Sequence, residues 1–131
     1  MKALSIKQPW ANLIVIGGPL CGKKGIEIRT WTTNYRGPLL IHAGQTVDLE
    51  GARLFKKIST LPRGVILARA ELTLVVWYSK KNFFEDFPHH LNPVVWYREG
   101  LYGWLLEDVQ KIFPPIPCKG KQGLFEVKLN D

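Results

Sequence analysis

From Val65 to Trp77 every second residue from Ile66 through Ala68, Ala70, Leu72 and Leu74 to Val76 is apolar, which predicts a long strand with one continuous apolar face. The opposite face reads Val65, Leu67, Arg69, Glu71, Thr73, Val75, Trp77, with polar side chains only in its middle. Two arrangements produce that pattern: a strand bent around a barrel with its central polar residues turned to a groove, or an ordinary solvent face. Residues 25–31 alternate as strictly, Ile26 and Ile28 against Glu27 and Arg29, and predict a strand with one charged face. Ala3–Ile6, Leu39–Ala43, Tyr102–Leu106 and Gly123–Leu129 complete the strands. After Pro9, Trp10, Leu13, Ile14 and Ile16 fall near helical spacing, and Gly17-Gly18-Pro19 ends that helix. Thr46–Ile58 places Val47, Gly51, Leu54, Phe55 and Ile58 on one helical face, with Asp48 and Glu50 near the start, where the helix dipole favours anions. Tyr78–Gly100 is irregular and aromatic and predicts a partly helical insertion, limited by Pro88 and Pro93, while Phe113–Pro117 predicts an extended connector. Five or six strands with two or three flanking helices, and no regular strand–helix alternation, predict an α+β mixed β-barrel over a single domain, residues 1–131.

Charge changes the picture next. Eighteen Lys and Arg against 11 Asp and Glu give a formal charge of +7, which attracts polyanions and makes nucleic acid the default partner. The bland alternative is a surface kept soluble by self-repulsion. Only Cys21 and Cys118 are present, in no metal-binding spacing, so they read as reduced thiols and no metal site or other cofactor is expected. Residues 17–24, GGPLCGKK, suit a phosphate cradle or a flexible turn, but lack the P-loop pattern. His42 reads as a hydrogen-bonded strand residue and His89-His90 as solvated loop. The N-terminal stretch, broken by Lys7, Gln8 and Asn12, carries neither a leader nor a membrane span, so a cytoplasmic protein is expected, with a monomer favoured.

The runs SIKQPWANLIVIGG, KKGIEIRTWTTNYRGPLLIHAG, YGWLLEDV and PIPCKGKQGLFEV resemble the ASCH (activating signal cointegrator homology) group of PUA-like barrels over nearly the whole chain. The most specific piece is that group's GxKxxExR pattern, matched by Gly22, Lys24, Glu27 and Arg29, behind a first loop lengthened by Pro19 to Gly22. The resemblance implies a cleft beside the first helix that suits a nucleotide or a flipped base. Glu27 and Arg29 on one strand face can offer an acceptor and a planar donor fork to one ligand, with Lys24 a mobile charge at the rim. Trp31 and Tyr35, in a polar turn, are candidates to stack on a base, while Trp10 and Trp104 read as core. A plain surface ion pair at Glu27 is the alternative reading.

Three functions remain open. The first is binding of single-stranded RNA or a nucleoside, in RNA metabolism or transcription-coupled regulation, with Lys23, Lys24, Arg36, Lys56, Lys57 and Lys121 on phosphates and Glu27, Arg29, Trp31 and Tyr35 on the base. The second is a metal-independent hydrolase, because some ASCH relatives are amidohydrolases on acetylated cytidine or ribonucleases. The amidohydrolase type carries KxxT, where this chain has Glu27, so Lys24, Glu27, Glu71 and Tyr102 would form a proton-transfer set around an activated water. The third is a protein-interaction adaptor using an exposed apolar patch from Phe83 to Tyr97.

Overall fold

The computed structural model describes residues 1–17, 22–55 and 61–129. Chain order is β1 (Lys2–Gln8), α1 (Trp10–Val15), β2 (Ile26–Arg29), β3 (Gly37–Val47), α2 (Leu49–Phe55), β4 (Val65–Trp77), α3 (Lys80–Glu85), α4 (Phe87–His90), a 3-10 turn (Val94–Trp96), β5 (Tyr102–Pro117) and β6 (Leu124–Glu126). All six strands join one sheet in the order β2-β5-β4-β3-β1-β6. Among the described residues only β1 and β3 pair in parallel. The α+β mixed sheet is therefore as expected, with four short α-helices beside it. Hydrogen bonding does not close it into a barrel, because the edge strands β2 and β6 are four and three residues long and each pairs on one side only.

The main core lies on the face that α1 covers. Leu4 and Ile6 of β1, Leu39 and Ile41 of β3, Leu72 of β4 and Trp104 of β5 meet Leu13 and Ile14 of the helix there. Ala3, Leu40, Ile66 and Phe125 form a second cluster, and Ile26, Tyr78, Phe83 and Leu101 a third beside α3. The single apolar face expected of β4 does not exist. Two bulges turn the strand over, since each adds one residue to a period of two: β4 spends Ile66 to Ala68 against His42 and Ile41 of β3, and Leu72 to Leu74 against Leu106 and Leu105 of β5, whereas at Arg69/Glu71 the extra residue is in β5. Ile66 thus reaches the second cluster and Ala68 to Leu72 the first, while Leu74 is exposed and Val75 packs against the main core.

Two further expectations change. The connector at Phe113–Pro117 is the continuation of β5, which pairs with β4 as far as Val65↔Pro117 and, among the described residues, has no second neighbour beyond the β2 pairing at Tyr102–Leu105. Helix α2 occupies the middle of the predicted 46–58 segment; its later positions, with Lys56 and Lys57, lie outside the described residues. The insertion folds as α3, α4 and the 3-10 turn. Ser79 caps α3 by accepting from the Asn82 N–H, and Leu91 ends α4 with φ of 64°.

Candidate nucleic-acid interface

Beside α1 a cleft of about 1360 Å³ opens across the sheet. Trp10, Glu27, Arg29 and Trp31 line one end, and His42, Gly44 and the loop from Cys118 to Gly123 line the other. Strand β2 sets the first end. Its pairing with β5 puts Glu27 opposite Trp104 and Arg29 opposite Tyr102, so the charged face turns inward. Glu27 is only 6% exposed.

Lys24 is not a rim charge. It is fully buried, and its Nζ donates to the Ile26 and His90 carbonyls at 2.6 Å each, while standing 3.6 Å from Glu27 Oε1 and 5.1 Å from the centre of the Trp10 ring. Loss of hydration lowers its pKa to about 8, partly offset by the attraction of Glu27. Arg29 approaches the other side of the same carboxylate, Nε to Oε2 at 3.3 Å, and donates from its Nη2 to the Ser5 carbonyl at 2.8 Å. Its Nε is buried with no hydrogen-bond partner among the described residues. The carboxylate is thus held between two cations by charge, but accepts no hydrogen bond from a described residue.

His90, expected in solvent, is fully buried, because α4 folds it onto Phe83 with ring centres 4.3 Å apart. Its Nε2–H donates to the Phe83 carbonyl at 2.6 Å and its Nδ1 accepts from the Asn92 N–H at 2.9 Å, which fixes the neutral tautomer. Burial lowers its pKa to about 4. The aromatic insertion therefore serves the site: the His90 carbonyl grips Lys24, and Gly25 N–H donates to the His89 carbonyl.

The other expected residues separate. Trp31 is half-buried in the cleft wall, edge-on to Trp104 with ring centres 4.7 Å apart. Tyr35 packs against the core and donates its hydroxyl to the Pro38 carbonyl, away from the cleft lining. Lys23 and Arg36 are exposed, and Lys121 is exposed and lines the cleft. Glu71 is not brought to Glu27. It pairs opposite Glu107, out of phase with the inward Leu72 and Leu106, and sits 3.8 Å from Arg69 on the outer face. The polar middle of β4 is hence a solvent face. Tyr102 shares the inner face with Arg29 but packs against the core.

Several cleft residues carried no separable sequence signal. His42 bridges Ser5 Oγ at 3.0 Å and the Cys118 carbonyl at 2.6 Å, and Asp48 accepts from Trp10 Nε1 at 2.7 Å. Their partners lie 37 or more residues away, so only the fold joins them. Among the described residues no group of His, Cys, Asp and Glu has the geometry to hold a metal ion, and no helix is long and apolar enough to cross a membrane.

The family model of the ASCH domain matches residues 4–116. The chain belongs to the ASCH family. This ASCH domain is similar in fold to the crystal structure of ASCH from Zymomonas mobilis, with a TM-score of 0.67 at 17% identity over 97% of this chain and 87% of that one. A serine-to-alanine mutant of the Zymomonas mobilis protein matches with a TM-score of 0.66 at 18% identity, over the same shares of the two chains. No curated protein sequence matches the chain. At such identities the likeness extends to the α+β fold of the domain alone.

Proposed function

We propose that this ASCH domain binds RNA, or a nucleoside derived from it, with a base seated at the Glu27 end of the cleft. One observation carries the reading: Glu27 is nearly buried and faces the cleft without a hydrogen-bond donor among the described residues, and the Arg29 Nε beside it is buried without an acceptor. A buried polar atom left unpaired costs about 1–3 kcal/mol. Arg29 Nε, closed off behind Glu27 Oε2 at 3.3 Å, already carries that cost, so the capacity open to the cleft is the Glu27 carboxylate's, which favours a ligand that brings N–H donors. The edge of a nucleobase has N–H donors and carbonyl or ring-nitrogen acceptors side by side, and Trp31 offers it a ring face or edge. Lys23, Arg36 and Lys121 are exposed where phosphates can reach them, and Lys56 and Lys57 are assigned the same role from sequence alone.

The test is end-labelled single-stranded RNA incubated with the wild type and with Glu27→Gln, run on native and denaturing gels. A native-gel shift with intact RNA that weakens in the variant is expected. No shift, combined with no change in titrations of free ribonucleosides, would refute the reading.

The second reading is a hydrolase, favoured by the Lys24 pKa of about 8 beside a buried carboxylate, a combination that suits proton transfer near neutral pH. In it Lys24 and Glu27 act without Glu71, which faces outward. Shortened RNA on the denaturing gel with wild type alone would select it. An adaptor role would use the exposed Phe84, Phe87 and Val95 of the insertion.

A further inference from the structure

The second end of the cleft is chemically unlike the first. There the loop residues Lys119, Gly120, Lys121, Gln122 and Gly123 all line the space, and Lys7 of β1 joins them. None of these three lysines forms an ion pair among the described residues. The loop is held firmly. His42 Nε2–H donates to the Cys118 carbonyl at 2.6 Å, and the Cys118 N–H to the Gly64 carbonyl at 3.0 Å. At Gly120 the backbone comes so near that an added Cβ would stand 2.8 Å from His42 Cε1 and 3.0 Å from Ser5 Oγ. A contiguous floor joins the two ends: Arg29 bonds the Ser5 carbonyl, and Ser5 Oγ bonds His42. Asp48, the other carboxylate on the cleft wall, already has both oxygens occupied, by Trp10 and by the Glu50 and Gly51 N–H groups.

We infer that the Lys119–Gly123 loop is a phosphate seat, so that the ligand of the cleft is a nucleotide lying across its floor, base toward Glu27 and phosphate toward Lys119 and Lys121, and not a bare nucleoside. The inference rests on the base-binding reading above. A lysine pair over glycine backbone supplies charge and N–H donors, the chemistry a phosphate requires.

Isothermal titration of the whole chain with the four ribonucleosides, their 5′-monophosphates and a short single-stranded oligoribonucleotide tests it, in wild type, Glu27→Gln and the double variant Lys119→Ala/Lys121→Ala. The expected result is that phosphate-bearing ligands bind at least about tenfold tighter than nucleosides, and that the double variant removes this gain while leaving nucleoside affinity unchanged. A gain seen with the monophosphates assigns the seat to a terminal phosphate; a gain seen only with the oligonucleotide assigns it to a strand. Nucleosides binding as tightly as nucleotides, with loss in Glu27→Gln, would overturn the phosphate seat and leave the base site standing. No binding by any probe would overturn both.

Discussion

Replacing Lys24 by methionine keeps most of the buried stem and removes only the ammonium. The loss is large because that group satisfies two carbonyls at 2.6 Å, those of Ile26 and His90, inside a fully buried site. Orphaning two buried acceptors costs about 1–3 kcal/mol each, while Glu27 keeps Arg29 at 3.3 Å as its remaining cation. The expected destabilisation of Lys24→Met is therefore about 3–5 kcal/mol, the range found when one partner of a buried pair is deleted. Urea unfolding at pH 7 measures it, with Glu27→Gln and the double variant completing a cycle whose coupling should reach about 1 kcal/mol. pH supplies a second signature. With the folded pKa near 8 and the ordinary value at 10.5, the unfolded chain holds a proton that the folded one lacks between those limits, so the advantage of wild type over Lys24→Met should grow as pH rises through that window. A loss below about 1 kcal/mol, or an advantage that shrinks from pH 8 to 10.5, would refute the assignment of Lys24 as the buried tie between insertion and sheet.

Other outcomes follow from the same geometry. His90 is neutral in the fold with its pKa near 4 against an ordinary 6.5, so stability should fall as pH drops from 6.5 to 4, and equilibrium unfolding of His90→Gln should lack that part of the slope. A Cβ at Gly103 would meet Tyr78 Cε2 at 2.5 Å and Ile26 Cγ2 at 3.0 Å, so Gly103→Ala should lose about 1–3 kcal/mol by thermal unfolding without changing which RNA is bound. Trp31→Ala should weaken RNA binding in a filter assay by about 1–3 kcal/mol while leaving the fold intact, because the Trp104 Nε1 bond goes to the Trp31 backbone carbonyl.

Strands were legible wherever two-residue periodicity survived: Ile26–Arg29 and the full Val65–Trp77 span lie where the alternation places them. Which face points inward was not. Two bulges in β4, at Ile66/Ala68 and Leu72/Leu74, reverse its phase without any mark in composition; between them Ala68, Ala70 and Leu72 hold the core side and leave Glu71 on the solvent side, one of the two arrangements its alternation allows. At β2 alternation leaves a ligand-facing pair and a plain surface ion pair both open, and only the register with β5 shows that Glu27 is buried. The pattern spanning Gly22 to Arg29 located one end of the cleft, yet the depth of Lys24 depends on a carbonyl 66 residues away. The same holds for His42, whose hydrogen-bonded state was foreseen but whose place between Ser5 and Cys118 only the fold provides.

Among the described residues the far half of β5 has one paired side and one open side, an arrangement that ordinarily invites another chain to add a strand. Pro114, Pro115 and Pro117 fall within that stretch and bring no N–H groups, so an incoming backbone meets an interrupted ladder. The exposed Phe113 beside them can then stay at the surface of a long strand without making it a seed for aggregation.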